Sequence, residues 1–368
     1  MALLVFAAAM TSTRAQAPLV DTLPLSADDF YRINNSALGL AGNKVLSHQE
    51  AATWQTAPEW LDYSNWMDSR WTYIKQVRLN AMTTWGATQL LSVRARCSTV
   101  FYPFSGPDFL YVNTFFPNSK FLVLGGLEPI GTIPDLATLR QTGQLGPYLQ
   151  QMKTALSTIL AASFFKTKDM KTDFNNQLMN GLLPAIVVFL AREGYTIDSI
   201  HYVTLGHDGN LHAHDPAGAN GVQLTYFKTD RTDVRVLLYF QTDLGNDGLK
   251  ANPGFVRLMQ KLGPGITYLK AASYLLYEDY FSTMRNSILD NSVAVLEDDS
   301  GIPLRDFKPS LWNVIPYGNY TGPIGIFKTS YQPDLAQFYA MNPHAPLTFG
   351  SGYKYIAADS SLLLALKK

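Results

Sequence analysis

The stretch from Thr99 to Gly131, TVFYPFSGPDFLYVNTFFPNSKFLVLGGLEPIG, narrows the fold more than any other part of the chain. Thr99 to Phe104 is a short β-branched and aromatic run stopped by Ser-Gly-Pro-Asp, the pattern of a buried strand entering a turn. Ser105 reads as a helix N-cap, with Pro107 early in the first turn and Asp108 placed to accept from orphan N–H groups. The helix is expected from about Pro107 to Phe116, where Pro117 and Asn118 stop it. Phe121 to Leu127 is a second continuous apolar run, closed by Glu128 and Pro129. Strand, helix and strand of these lengths form a βαβ unit, whose strands are parallel and whose crossover is right-handed. Ser105, Asp108 and Glu128 then fall together at the carboxyl edge of the sheet, where open α/β sheets bind ligands.

Glu128 also stands about twenty residues after the first turn, where a dinucleotide fold holds a ribose. The glycine-rich turn that lets backbone approach a pyrophosphate is missing, with Gly106 alone in its place. The competing reading is structural: a capped helix and a solvated strand end.

A chain of 368 residues, 47% hydrophobic and 16% charged, has ample apolar material for a large core and is not disordered. Its 29 basic and 29 acidic residues balance to a formal charge of +0, with no long run of one sign. That excludes an electrostatic signature for nucleic acid or an anionic membrane surface. MALLVFAAAMTSTRAQAPLV resembles an export signal, with an apolar core from Ala2 to Ala9 and a cleavage-like Ala15-Gln16-Ala17. No Lys or Arg precedes that core, and Pro18 would follow the cut. The expected mature chain, 18–368, has one cysteine, Cys97, and so no internal disulfide. Leu182 to Ala191 is strongly apolar but shorter than the roughly 20 residues a bilayer requires, so no transmembrane segment is expected in the mature chain.

Residues 47–93 read as a helical N-terminal layer. Trp60, Tyr63, Met67, Trp71, Ile74 and Arg78 share one helical face, a core seam in preference to a sugar-stacking platform. Helices are expected after Pro134, from Tyr148 to Phe165, and from Phe174 to Glu193, with a charged connector at Lys166 to Asp173. Ile200 to Leu205 reads as a strand. Val222 to Lys228 and Val234 to Leu244 read as an antiparallel hairpin around Thr-Asp-Arg-Thr-Asp. A short helix follows Asn252-Pro253. Ile266 to Tyr277 fits strand or buried helix, and Glu278 to Leu289 fits a helix. Short strands are expected at Ala294 to Glu297, Trp312 to Pro316 and Ile324 to Lys328, then a helix at Asp334 to Tyr339 and a loop-rich tail. With no repeat or low-complexity linker, the whole reads as a single α/β domain with a mixed sheet. It has a parallel, Rossmann-like βαβ start, an added hairpin and the helical layer.

Several constellations carry chemistry-bearing groups. His201, His207, His212 and His214 lie in HYVTLGHDGNLHAHDPAG; of these His207, His212 and His214 are the metal-ligand candidates, against an exposed hairpin loop. Lys270 precedes Ser273 by three residues, the reverse of the S-x-x-K of serine acyl-enzymes. Asp298 and Asp299 follow a strand, and with Glu128 they are candidates for a carboxylate pair of the glycosidase type. There is no G-x-S-x-G elbow.

YPFSGPDF, FFPN, GLEPIG, YFQTDLGNDGL, NPGF, GPGITYLKAASYLL, YFSTMRNSIL, LEDDSGIPLRDF and YGNYTGPIGIF together resemble a group of uncharacterised exported bacterial proteins, from about residue 95 to the end. The resemblance implies a bacterial origin and a periplasmic or secreted location, and no catalytic residues. Two functions are therefore expected. One is an envelope hydrolase with a pocket around Ser105, Asp108 and Glu128, completed by Lys270 and Arg285. The other is a non-catalytic binding protein, a degenerate nucleotide-type fold recognising an envelope polymer, a partner or a small molecule. The sequence assigns no cofactor and no metal.

Overall fold

The structure, a computed structural model, describes residues 19–21, 23–44, 51–165, 172–176, 178–342 and 344–368. The expected signal at 1–17, the start of the helical layer and most of the Lys166–Asp173 connector lie outside the described residues.

Among the described residues ten strands form one sheet: β1 (Thr99–Tyr102), β2 (Phe121–Gly126), β3 (Thr196–Leu205), β4 (Leu211–Ala213), β5 (Gly221–Phe227), β6 (Arg235–Gln241), β7 (Gly265–Leu269), β8 (Ser292–Glu297), β9 (Trp312–Gly318) and β10 (Ser361–Lys367). Their spatial order is β4-β3-β5-β6-β2-β1-β7-β8-β10-β9. The central strands β6, β2, β1, β7 and β8 are mutually parallel, with Thr99 opposite Phe121 and Phe121 opposite Val236. β5 pairs antiparallel with β6, the expected hairpin, and β3 and β4 extend that side. On the other side β10 runs antiparallel between β8 and β9. This is a single α/β domain with a mixed sheet and surrounding helices.

Both faces of the parallel strands are covered. Val100, Tyr102, Leu122, Leu124, Tyr239 and Tyr268 point into one core, packed by the Trp60 helix, Leu145–Ala161 and Leu183–Arg192. Phe101, Val123, Leu238, Phe240 and Val295 point into a second core, packed by Gly254–Leu262 and Ser282–Asn291. Burial on both faces is why these strands read as unbroken apolar runs instead of alternating ones. The Trp60, Tyr63, Met67, Trp71, Ile74 stripe is buried, so it is a core seam; Trp60 Nε1 also donates to Gly39 O at 3.0 Å.

Four expectations are corrected. The cap of the first crossover helix (Phe109–Phe115) is Asp108, which accepts from Tyr111 N, and not Ser105. Phe174 to Glu193 is helical only over Leu183–Arg192, because Pro184 fits only the first turn and Gly181 packs against the Ile130–Gly131 backbone. Ile324 to Lys328 is not a strand; Gly325–Ser330 forms 3-10 turns after Gly322 and Pro323 break extension. The tail ends in β10, which lies between β8 and β9 with Leu362, Leu363 and Leu364 buried.

Candidate functional site

The loops at the carboxyl ends of the parallel strands build the site. After β1 the chain turns sharply, with Phe104 and Gly106 at φ of 62° and 52°. Ser105 N donates to Gly125 O at 2.8 Å, and Gly125 N donates to Ser105 Oγ at 3.2 Å. The Ser105 hydroxyl lies 3.0 Å from Gly106 O and 3.2 Å from Gly125 O. Its proton is therefore directed at main-chain carbonyls. The β1 and β2 loops are thus neighbours on one rim. A Cβ on Gly126 would lie 2.7 Å from Glu128 Oε2 and 3.4 Å from Gly106 Cα, an approach that only glycine permits.

The Glu128 loop is fixed from three sides. Leu182 N and Leu183 N, at the start of the Leu183–Arg192 helix, donate to Pro129 O and Ile130 O at 3.0 and 2.9 Å, which satisfies donors the helix itself cannot. Tyr239 OH donates to Glu128 O at 2.8 Å, and Gln241 Nε2 to Leu127 O at 3.2 Å. Leu127, Glu128, Pro129, Asn175 and Gln241 line a cleft of about 570 Å³.

Beside it, between β1 and β7, Lys270 Nζ lies 2.5 Å from Asp108 Oδ2, with both side chains almost fully buried. The ammonium also donates to Ser163 O and stands 3.7 Å from the centre of the Tyr111 ring. Burial pushes the Lys270 ammonium down from its ordinary pKa, and the Asp108 carboxylate opposes that shift. Asp108 accepts from Tyr102 OH at 2.9 Å on the same oxygen and from Tyr111 N at 3.2 Å on the other.

The loop after β7 is held in an unusual shape. Ala271, Ser273 and Tyr274 have φ of 51°, 55° and 57°, each costing on the order of 1 kcal/mol for a side-chain-bearing residue. Ala271 N donates to Asp298 Oδ2 and Ala272 N to Ser300 Oγ, both at 2.8 Å, while Ser273 Oγ pairs with Tyr353 OH at 2.7 Å. Asp298 and Asp299, at the end of β8, are both buried. Burial pushes the Asp298 carboxyl up, and burial together with Asp298 pushes Asp299 up to about 7. Glu297 is pushed far above its usual range, mainly by burial.

Ser105, Asp108, Glu128 and Lys270 are therefore brought to one rim. Arg285 bonds elsewhere: it donates to Leu276 O at 2.6 Å and pairs with Asp306 at 3.2 Å. Ser273 bonds Tyr353, while the contacts of Lys270 are Asp108, Ser163 and the Tyr111 ring, so the two do not form a Ser–Lys dyad. His207 is in the turn before β4, His212 is on β4, and His214 Nδ1 lies 3.0 Å from Asp215 O. Among the described residues no three His, Cys, Asp or Glu side chains stand in a metal-holding arrangement.

The sequence reading missed Ser163, Gly352 and Tyr353, and placed Arg78 only in the core stripe. Arg78 lies in a π-helical turn, Lys75–Leu79, a feature common at functional sites. It bonds Tyr111 OH at 2.9 Å and Ala162 O, beneath Ser163. Ser163 Oγ donates to Gly352 O at 2.7 Å, and Tyr353 OH to Ala271 O at 3.1 Å. Nothing local in the sequence marks these four, because each acts through residues far away in the chain.

No protein-family model matches the chain, and no curated protein is significantly similar to it. Among the described residues no helix is long and apolar enough to cross a membrane.

Proposed function

We propose that this chain is a binding protein of doubly wound, Rossmann-like architecture that takes a nucleoside-type ligand, held by Glu128 in the cleft at the carboxyl ends of β2 and β6. One observation carries the reading. The parallel strands, numbered among themselves in chain order, lie as 3-2-1-4-5, the order in which a crevice opens where the strand order reverses beside the first strand. Glu128, at the end of the second, lies where such folds place the acid that accepts from ribose hydroxyls. Leu127 and Pro129 give the cleft apolar surface for a base, and the exposed amide of Gln241 gives it polar edges.

The envelope hydrolase is the weaker reading. Its nucleophile would be Ser105, whose hydroxyl is directed at backbone carbonyls with no base among its described partners. We also propose that the chain is a bacterial precursor exported with residues 1–17 removed. In that compartment the ligand is a scavenged nucleoside and not a cofactor. Cell fractionation tests it, and retention of the full-length chain in the cytoplasm overturns it.

The binding test is calorimetric titration with adenosine, 2′-deoxyadenosine and 3′-deoxyadenosine. A hydrogen bond to a carboxylate contributes about 1.5–3 kcal/mol, so loss of either hydroxyl should weaken binding about tenfold or more. Glu128→Gln should level the three ligands. Equal binding of all three by the unaltered protein, or no binding of any, overturns the reading.

A further inference from the structure

The crevice of a doubly wound sheet has two halves, one over the second and third strands and one reaching across the first to the fourth. In dinucleotide-binding proteins a ligand spans both. Here the second half is filled by the chain itself. Lys270, the first residue after β7, crosses to Asp108 at the start of the β1 helix and closes the gap with a buried ion pair. Above it, Ala162 and Ser163 are bound by Arg78, Tyr111 and Lys270. Ser163 in turn binds Gly352 O, and Tyr353 binds Ala271 O and Ser273. Gly352 approaches the Asp298 carboxylate so closely that a Cβ would collide with it.

Resting on the nucleoside reading, we propose that this plug, built from Lys270–Asp108, Ser163 and Gly352–Tyr353, confines the site to its β2–β6 half and makes it selective for mononucleosides over dinucleotides.

Three observations converge on it. A pyrophosphate lying across the β1 turn needs a backbone it can approach, and the turn has Gly106 but no glycine-rich run. The place a phosphate would take at the start of the next helix is occupied by a carboxylate, Asp108, which repels an anion. The cation that could offset a phosphate's charge, Lys270, is already engaged by that carboxylate and by Ser163 O, and is sealed from solvent. A ligand with a second nucleotide must open a buried ion pair. Breaking one costs about 3–5 kcal/mol, which converts to a loss of affinity of between two and four powers of ten. A mononucleoside meets no such barrier.

The experiment measures adenosine and NAD binding to the full chain by calorimetry. Alongside it, amine-reactive labelling is read residue by residue by mass spectrometry, with and without adenosine. The proposal expects adenosine to bind at least a hundredfold more tightly than NAD, and Lys270 to resist labelling in the free protein while exposed lysines such as Lys250 react. NAD binding within about threefold of adenosine overturns the plug and leaves the nucleoside reading intact. Ready labelling of Lys270 that adenosine suppresses also overturns it, since the second half would then be open to ligand. Binding of neither ligand overturns the reading beneath, and this inference with it.

Discussion

Replacing Lys270 with methionine tests how the carboxyl edge is held. Methionine nearly preserves the volume, so the change removes charge without leaving a large cavity. Asp108 keeps two donors, Tyr102 OH and Tyr111 N, but loses the ammonium 2.5 Å away, in a setting where neither partner is reached by water. An uncompensated charge at such a place costs about 3–5 kcal/mol. Loss of the ammonium over the Tyr111 ring adds about 1–2 kcal/mol for a desolvated contact, and Ser163 O is left without its donor. Denaturant unfolding at pH 7 should therefore show Lys270→Met to be less stable by about 4–7 kcal/mol, with an unchanged m-value. Asp108→Asn combined with Lys270→Met removes both charges and keeps the amide oxygen for Tyr111 N. The double variant should recover to within about 2 kcal/mol of the unaltered protein, well short of the sum of the two single losses. A loss below about 1 kcal/mol in the single variant, or additive single losses, would refute the buried pair as the element that joins β7 to the first crossover helix.

Other outcomes follow from the same rim. Asp299, raised from an ordinary 3.8 to about 7 by burial and by Asp298, binds more protons folded than unfolded between those values. Stability should fall as pH rises from about 4 to about 7. Asp299→Asn should flatten that slope in a thermal-melting series, and an unchanged slope contradicts the assignment. Gly126→Ala places a Cβ 2.7 Å from Glu128 Oε2 and 3.0 Å from Tyr239 OH, so adenosine affinity should drop about tenfold or more while the fold survives by circular dichroism; unaltered affinity separates the cleft from Glu128. Gly352→Ala meets both a φ of 61° and the Asp298 carboxylate, and should lower stability by about 2–4 kcal/mol in denaturant unfolding. A neutral result would show that the 351–353 segment is loosely held.

What the sequence revealed of this fold follows from where the information resides. The βαβ unit was legible because β1 and β2 are buried on both faces and are punctuated by Ser-Gly-Pro-Asp and Glu-Pro. The meeting of Ser105 with Gly125 follows from that topology. The hairpin of β5 and β6 was legible from its turn. β10 was not, since a leucine-rich run after a Gly- and Tyr-rich stretch has no alternation, and its strand character comes from insertion between β8 and β9. The Ser105 cap was three residues early because the turn tightens through φ > 0 at Phe104 and Gly106, which leaves Asp108 at the helix start. Lys270 and Asp108 were both singled out, yet their contact depends on the β1–β7 pairing, which no local pattern encodes. Arg285 has the right chemistry but bonds Leu276 O and Asp306 instead. Arg78 was read as the end of a core stripe, and only the π turn carries its guanidinium to Tyr111 and Ala162.

A crystal structure of the protein soaked with adenosine decides whether the Glu128 cleft is the binding site. The ribose hydroxyls should lie within hydrogen-bonding distance of the Glu128 carboxylate, with the base against Leu127 and Pro129 and the Lys270–Asp108 pair still closed. A nucleoside seated elsewhere, such as the cleft between Asp29 and Tyr202, or a Glu128 cleft without ligand at saturating adenosine, would contradict that placement.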